Sequence, residues 1–159
     1  IILAVPSSGL HSNGFSLVRH ILKRQKLNGF LKKQLLIPTK IYAREIINLT
    51  DKNLLHAAAN ITGGGIVENL IRSIPENLTA NIDLSKIKVK KIFKWLKKNN
   101  ISDYEMIKTF NCGVGFCLIT KKNNVKKIAK YFEKKYKPYE IGYISKSNKK
   151  IKLYNKIKW

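Results

Sequence analysis

Cysteine is almost absent from this 159-residue chain: only Cys112 and Cys117 occur, and their spacing is not CxxC. Two such residues make no disulfide framework, and the three histidines, His11, His20 and His56, are scattered too widely to complete a zinc site. Reduced thiols in a cytosolic protein follow. Long apolar runs are also missing. None reaches the roughly 18 residues that a membrane-spanning helix needs. The opening IILAVP lacks the length and basic flank of a secretory leader and has no initiator Met, so the chain reads as a fragment of something longer. Acidic residues are scarce as well, with nine Asp and Glu against thirty-two Lys and Arg.

What is present is an apolar fraction of 44%, too high for a disordered tail, in a length suited to one domain with a real core, residues 1–159. The net charge of +23 invites a nucleic-acid reading, but its distribution argues otherwise. Residues 1–85 carry +5 and all four arginines, whereas residues 86–159 carry +18 built from lysine alone. Lysine is interspersed there with Asn and Ile, three amino acids with A/T-rich codons, so base composition accounts for the bias. Base readout and bidentate phosphate grip favour arginine. The charge therefore reads as a lysine-rich solvated surface with no specific nucleic acid as partner, and the missing apolar run leaves no membrane among the expected partners.

Periodicity predicts a buried strand over residues 1–5, ended by Pro6, then a polar loop at 7–14 and a helix from about Phe15 capped by Asn13. Gly29 reads as a helix stop. A second helix is expected after Pro38, capped by Thr39, with Ile41, Ile46 and Ile47 buried. The run Leu54–Ile61 reads as a strand that empties into Thr62-Gly63-Gly64-Gly65 and a helix up to Pro75. A strand at 78–83 and an amphipathic helix at 90–98 follow. Ser102 and Glu105 form a capping-box signature for a helix over 103–109. A strand at 114–120, a helix at 125–136 and two strands near 141–144 and 151–154 complete the chain, the last two expected as a hairpin. The fold class is therefore α+β, a mixed β-sheet covered by helices.

Two loops concentrate the chemistry. In Ser7-Ser8-Gly9-Leu10-His11-Ser12-Asn13-Gly14, hydroxyls, an imidazole and an amide fall within eight residues, a set able to wrap a polar substrate with His11 as donor or proton carrier. No GxSxG and no acid partner support a serine hydrolase. Thr62-Gly63-Gly64-Gly65 lets the backbone turn sharply and approach a ligand, and the helix after it suits a phosphate. It is neither a P-loop nor a dinucleotide fingerprint, and a purely structural tight turn is the competing reading. Glu68 and Asn69 could orient a ligand or metal. Asn111, in the glycine-bearing turn FNCGVG, could face the same site. Ligands collect at the carboxyl ends of strands, so if the two preceding strands run the same way, both loops face one crevice.

The segments PSSGLHSNGFSLVR (6–19), LLIPTKIYAREI (35–46), NITGGGIVENLIRSIP (60–75), IFKWLKKNNISDYEMIKTFNCGVGF (92–116) and EIGYI (140–144) together resemble the C-terminal domain of the phosphoribosylformylglycinamidine cyclo-ligases, or aminoimidazole ribonucleotide synthetases. The resemblance runs from the first residue to about 145. It implies a cytoplasmic homodimeric enzyme that uses ATP and Mg²⁺ to phosphorylate the amide oxygen of formylglycinamidine ribonucleotide and close the imidazole ring. It also implies a separate N-terminal domain supplying the dimer interface and most of the ATP- and metal-binding residues, so this domain alone should not turn over. Carried over by position, His11 is the catalytic candidate. Ser8, Gly9, Ser12 and Asn13 make one substrate loop, and Thr62, Gly63, Gly64 and Gly65 a phosphate-contacting one. Asn60 stands where the family usually has His, and an amide cannot shuttle a proton at neutral pH. Two alternatives remain: another ATP-using member of the same superfamily, such as a formylglycinamidine ribonucleotide synthase or selenophosphate synthetase, or a basic nucleic-acid-binding module.

Overall fold

The computed structural model describes residues 1–159. Apolar residues at strand period lay down six strands: β1 (Ile2–Pro6), β2 (Ala57–Asn60), β3 (Leu78–Asp83), β4 (Val114–Ile119), β5 (Tyr139–Lys146) and β6 (Ile151–Tyr154). Seven short helices intervene: α1 (Phe15–Leu22), α2 (Gly29–Leu35), α3 (Ala43–Asp51), α4 (Gly65–Ile71), α5 (Lys91–Lys97), α6 (Asp103–Thr109) and α7 (Val125–Ala129). The strands form one sheet in the order β2-β4-β1-β5-β3-β6. β4 is antiparallel to both β1 and β2, so β1 and β2 run the same way. β5 is antiparallel to β1 and β3, and β6 is parallel to β3. The sheet is mixed, as expected, and the carboxyl ends of β1, β2, β3 and β6 share one edge.

Alternation along β1 divides the core. Ile2 and Ala4 point into a large cluster with Leu70, Ile82, Phe93, Leu96, Met106 and Phe110, which draws on α1, α4, α5 and α6. Leu3 and Val5 face the opposite layer, where Tyr42, Leu49, Ile128 and Phe132 cover them. Burying these side chains supplies about 1.5–3 kcal/mol each relative to exposure, which makes β1 the mechanical centre of the domain.

Several elements differ from the sequence reading. Gly29 does not end a helix; it begins α2, because Asn28 accepts a hydrogen bond from the Leu31 amide and caps a new one. Asn13 does not cap α1, whose N-cap is Gly14 in the left-handed region. α3 starts at Ala43 rather than after Thr39, because Thr39 and Lys40 are engaged with the first loop. Ile41 and Ile47, expected inside, are 77% and 59% exposed. β5 and β6 form no hairpin: β3 lies between them, and the Thr79 hydroxyl and Ala80 amide draw Lys149 and Lys150 across to it. The capping signature at Ser102 holds, its hydroxyl accepting from the Glu105 amide at 3.1 Å.

Candidate functional site

Because β1 and β2 are parallel and separated only by β4, the loops that follow them emerge side by side at one edge of the sheet. The turn before β4 emerges there too, since β4 runs the other way. The first loop, 7–14, is fastened from three directions. The Ser8 amide donates to His11 Nε2 at 3.1 Å. The Ser8 hydroxyl donates to the Pro38 carbonyl at 2.7 Å and accepts from the Lys40 amide at 3.1 Å, while Ser12 Oγ lies 3.2 Å from Thr39 Oγ1. Asn111 completes the fastening. Its Nδ2 donates to the Gly9 and Leu10 carbonyls at 2.9 and 3.1 Å, and its Oδ1 accepts from the Gly113 amide at 2.8 Å. Asn111 is thus buried with its hydrogen-bonding capacity engaged inside the protein; it shapes the loop and does not face the crevice as expected.

His11 adopts φ 59° and is 7% exposed, its ring 6.1 Å from that of Tyr42. Gly115 makes room for this tilted pair of rings, since a Cβ there would lie 2.9 Å from His11 Cε1 and would also meet the Tyr42 hydroxyl. That hydroxyl donates to the Pro6 carbonyl at 2.8 Å. Burial, with a smaller contribution from the Lys90 ammonium, lowers the His11 pKa to about 4. At neutral pH the imidazole is therefore neutral. Nε2 accepts the Ser8 amide, so the proton sits on Nδ1. Of the two roles read from sequence, donor and proton carrier, this arrangement fits the donor.

The second loop turns through Gly64 (φ 88°) and Gly65 (φ 60°), where a side chain would be strained, and a Cβ on Gly65 would overlap the Ile107 carbonyl of α6. Asn69 is the internal fastener here. Its Nδ2 donates to the Gly65 carbonyl at 2.7 Å and the Gly63 carbonyl at 3.0 Å, and its Oδ1 accepts from Thr62 Oγ1 at 3.1 Å. Asn69 and Thr62 therefore satisfy each other and hold the turn; Asn69 is buried beneath it, while Thr62 stays exposed at the edge. Asn60 ends β2 as an exposed residue beside the same edge.

Asn13, Gly14, Gly63, Gly64, Glu68, Lys108 and Thr109 enclose a polar crevice of about 310 Å³ between the two loops. The loops are close enough that a Cβ on Gly63 would lie 3.6 Å from Asn13 Oδ1. Three of these side chains, Asn13, Glu68 and Lys108, make no hydrogen bond or ion pair within the protein, whereas the neighbouring Ser8, Asn69 and Asn111 are fully engaged. The groups left free are thus an amide, a carboxylate and an ammonium around exposed glycine backbone, a set suited to a polar, anionic ligand. Sequence reasoning missed Lys108 and Thr109. The signal was their place directly before Phe110-Asn111, within a motif already linked to the site. No group of three or more His, Cys, Asp or Glu gathers anywhere, and Glu68 is the only carboxylate at the crevice. No helix is long and apolar enough to cross a membrane.

Comparison with known proteins adds relatives in sequence and in fold. The phosphoribosylformylglycinamidine cyclo-ligase of Lactobacillus helveticus is 38% identical over 159 residues, covering 92% of this chain and 46% of its own. That of Thermodesulfovibrio yellowstonii is 41% identical over 158 residues, with the same coverages of 92% and 46%. The chain therefore spans about half the length of these curated relatives. Among solved structures, the thiamine monophosphate kinase of Aquifex aeolicus shares the fold, with a TM-score of 0.59 at 15% identity over 98% of this chain and 50% of that one. Residues 1–154 match the family described as AIR synthase related protein, C-terminal domain, and the chain belongs to that family.

Proposed function

We propose that this chain is the C-terminal domain of a two-domain, ATP-dependent cyclo-ligase that converts formylglycinamidine ribonucleotide to aminoimidazole ribonucleotide in purine biosynthesis. The names of the curated relatives support the reaction. The observation that carries the site is the convergence of the 7–14 and 62–65 loops on one crevice, with Asn13, Glu68 and Lys108 left free around glycine backbone. In this reading the enzyme works in the cytoplasm as a homodimer joined through an N-terminal domain, which also supplies most ATP and Mg²⁺ ligands.

ATP supplies the phosphoryl group that turns the substrate's amide oxygen into a leaving group. The amidine nitrogen then closes the ring as phosphate departs. Little of that chemistry needs a covalent partner from the protein, so this domain's share is positioning and charge stabilisation. Lys108 and the Gly63–Gly64 backbone hold a phosphoryl group, with Asn13 across from them. Neutral His11 keeps the 8–11 turn closed through Nε2 and offers Nδ1–H as a donor. Glu68 accepts a substrate hydroxyl or contributes one ligand to a metal otherwise held by the N-terminal domain.

The test is reconstitution with the upstream half from the same genome, followed by assay of ATP-dependent aminoimidazole ribonucleotide formation. The expected result is turnover that falls at least tenfold in Asn13→Ala, a loss of about 1.4 kcal/mol of transition-state stabilisation. A folded, dimeric wild type without this activity would overturn the assignment.

A further inference from the structure

The most shielded charges of the chain lie beside the first loop, outside the polar crevice. Lys40 and Glu45 pair at 2.6 Å, and both side chains are largely covered. The Lys40 ammonium also donates to the Ile41 carbonyl at 2.8 Å. It lies 5.6 Å from the centroid of the Tyr42 ring and 5.3 Å from that of Tyr136. The cation is therefore engaged inside the protein. Burying an ion pair carries a desolvation cost that the attraction often only offsets, so stability alone is a weak reason for it. Its place in the chain is more telling: the two charges bracket Tyr42, the N-cap of α3, and the Lys40 amide donates to the Ser8 hydroxyl at 3.1 Å.

We infer that Tyr42, seated by the Lys40–Glu45 pair, is a positioning residue for His11 and fixes which imidazole nitrogen is left to donate. One side chain grips both ends of the 6–11 segment. Its hydroxyl donates to the Pro6 carbonyl at 2.8 Å, where β1 ends, and its ring meets the imidazole at 6.1 Å and 56°. Phe116 packs on the same ring at 5.5 Å. A Cβ at Gly115 would strike both Tyr42 and His11, so the two side chains share one tight space. Burial pushes the Tyr42 pKa up, which keeps its hydroxyl a donor. The grip matters because His11 sits at φ 59°, where a residue with a side chain persists only if its surroundings hold it. With the ring held, Nε2 stays on the Ser8 amide and the proton stays on Nδ1. A ring free to turn would lose that bond and exchange its proton between the two nitrogens. The inference rests on the proposed function only in giving Nδ1–H a substrate to meet; the placement of the imidazole is a property of this chain.

Nitrogen NMR of the His11 ring in the 159-residue chain at pH 7 reads that placement without turnover, so its failure is separable from failure of the cyclo-ligase reading. The wild type should show one protonated and one bare nitrogen. Tyr42→Leu should average the two, whereas Tyr42→Phe, which keeps the ring and loses only the bond to Pro6, should restore most of the wild-type pattern. Glu45→Gln, which leaves the loop's own residues intact, should average them in part. Ile128→Ala, in the same buried layer but on α7, should lower the thermal midpoint by several degrees and leave the pattern unchanged, which separates positioning from loss of core. In the enzyme reconstituted with its upstream half, Tyr42→Leu should lower kcat about tenfold with KM changed less than about twofold. Averaged nitrogens in the wild type, a single tautomer in both Tyr42→Leu and Glu45→Gln, or averaging in Ile128→Ala as complete as in Tyr42→Leu would overturn the inference.

Discussion

A buried imidazole that stays neutral ties the first loop to pH. The folded His11 pKa is lowered to about 4 from an unfolded value near 6.5. Below 6.5 the unfolded chain takes a proton that the native protein refuses until about pH 4, so stability falls as pH drops through that window. It should be fully present above pH 6.5, with about 3 kcal/mol at stake across the shift. The sign is that of a base whose charged form is penalised by burial. Urea unfolding at pH 7 and pH 4.5 checks it against His11→Asn, which tolerates the left-handed backbone and does not titrate. The wild type should lose more stability on acidification than the variant; equal losses would show that His11 titrates freely in the native state. At this scale the sequence displayed which residue types gather in each loop but not how they are engaged. Asn69, Asn111 and Asn13 look alike in a string of letters. Asn111 is spent on carbonyls of residues 9 and 10, about a hundred positions away, and no local pattern announces that.

Elements whose signals are local were read well, and elements set by distant partners were not. Ser102 caps α6 because the hydroxyl and the Glu105 amide are three residues apart, a relation visible without any fold. The β5–β6 hairpin failed because β3, more than sixty residues upstream, inserts between them and takes both as partners. The start of α3 was misplaced for the same kind of reason. Ser8 and Ser12 hold residues 38–40 in a non-helical path, whereas Thr39 looked like an ordinary cap. α6 matters beyond its own stability, since its Ile107 carbonyl backs the Gly65 turn and its last residues wall the crevice. Ser102→Ala should therefore cost about 1 kcal/mol in chemical denaturation. It should also broaden the amide NMR signals of Gly64 and Gly65 as the helix start frays. A cost below a few tenths of a kcal/mol, with those signals unchanged, would mean that packing of Met106 and its neighbours holds α6 unaided.

Over the whole molecule the charge is the unusual quantity, and the fold offers little to offset it. Nine acids face thirty-two Lys and Arg, and only three ion pairs form. One of them, Lys40–Glu45 at 2.6 Å, is largely shielded, with side chains 16% and 14% exposed. Lys135–Glu133 is open to water and contributes little to stability. The remaining lysines repel one another at separations set by the compact chain, and unfolding relaxes that repulsion by spreading them apart. Salt should therefore stabilise the native state. The Debye length shrinks from about 30 Å at 0.01 M to about 10 Å at 0.1 M and 3 Å at 1 M, so most of the gain should come before 0.5 M. The expected outcome is a thermal midpoint that rises by several degrees between about 0.01 and 0.5 M sodium chloride and then levels off. A salting-out effect on apolar burial would instead keep growing at high salt, which makes the curvature diagnostic. Scanning calorimetry across that series decides the matter. A flat or falling midpoint would show that lysine–lysine distances on this surface already exceed the range at which their charges are felt.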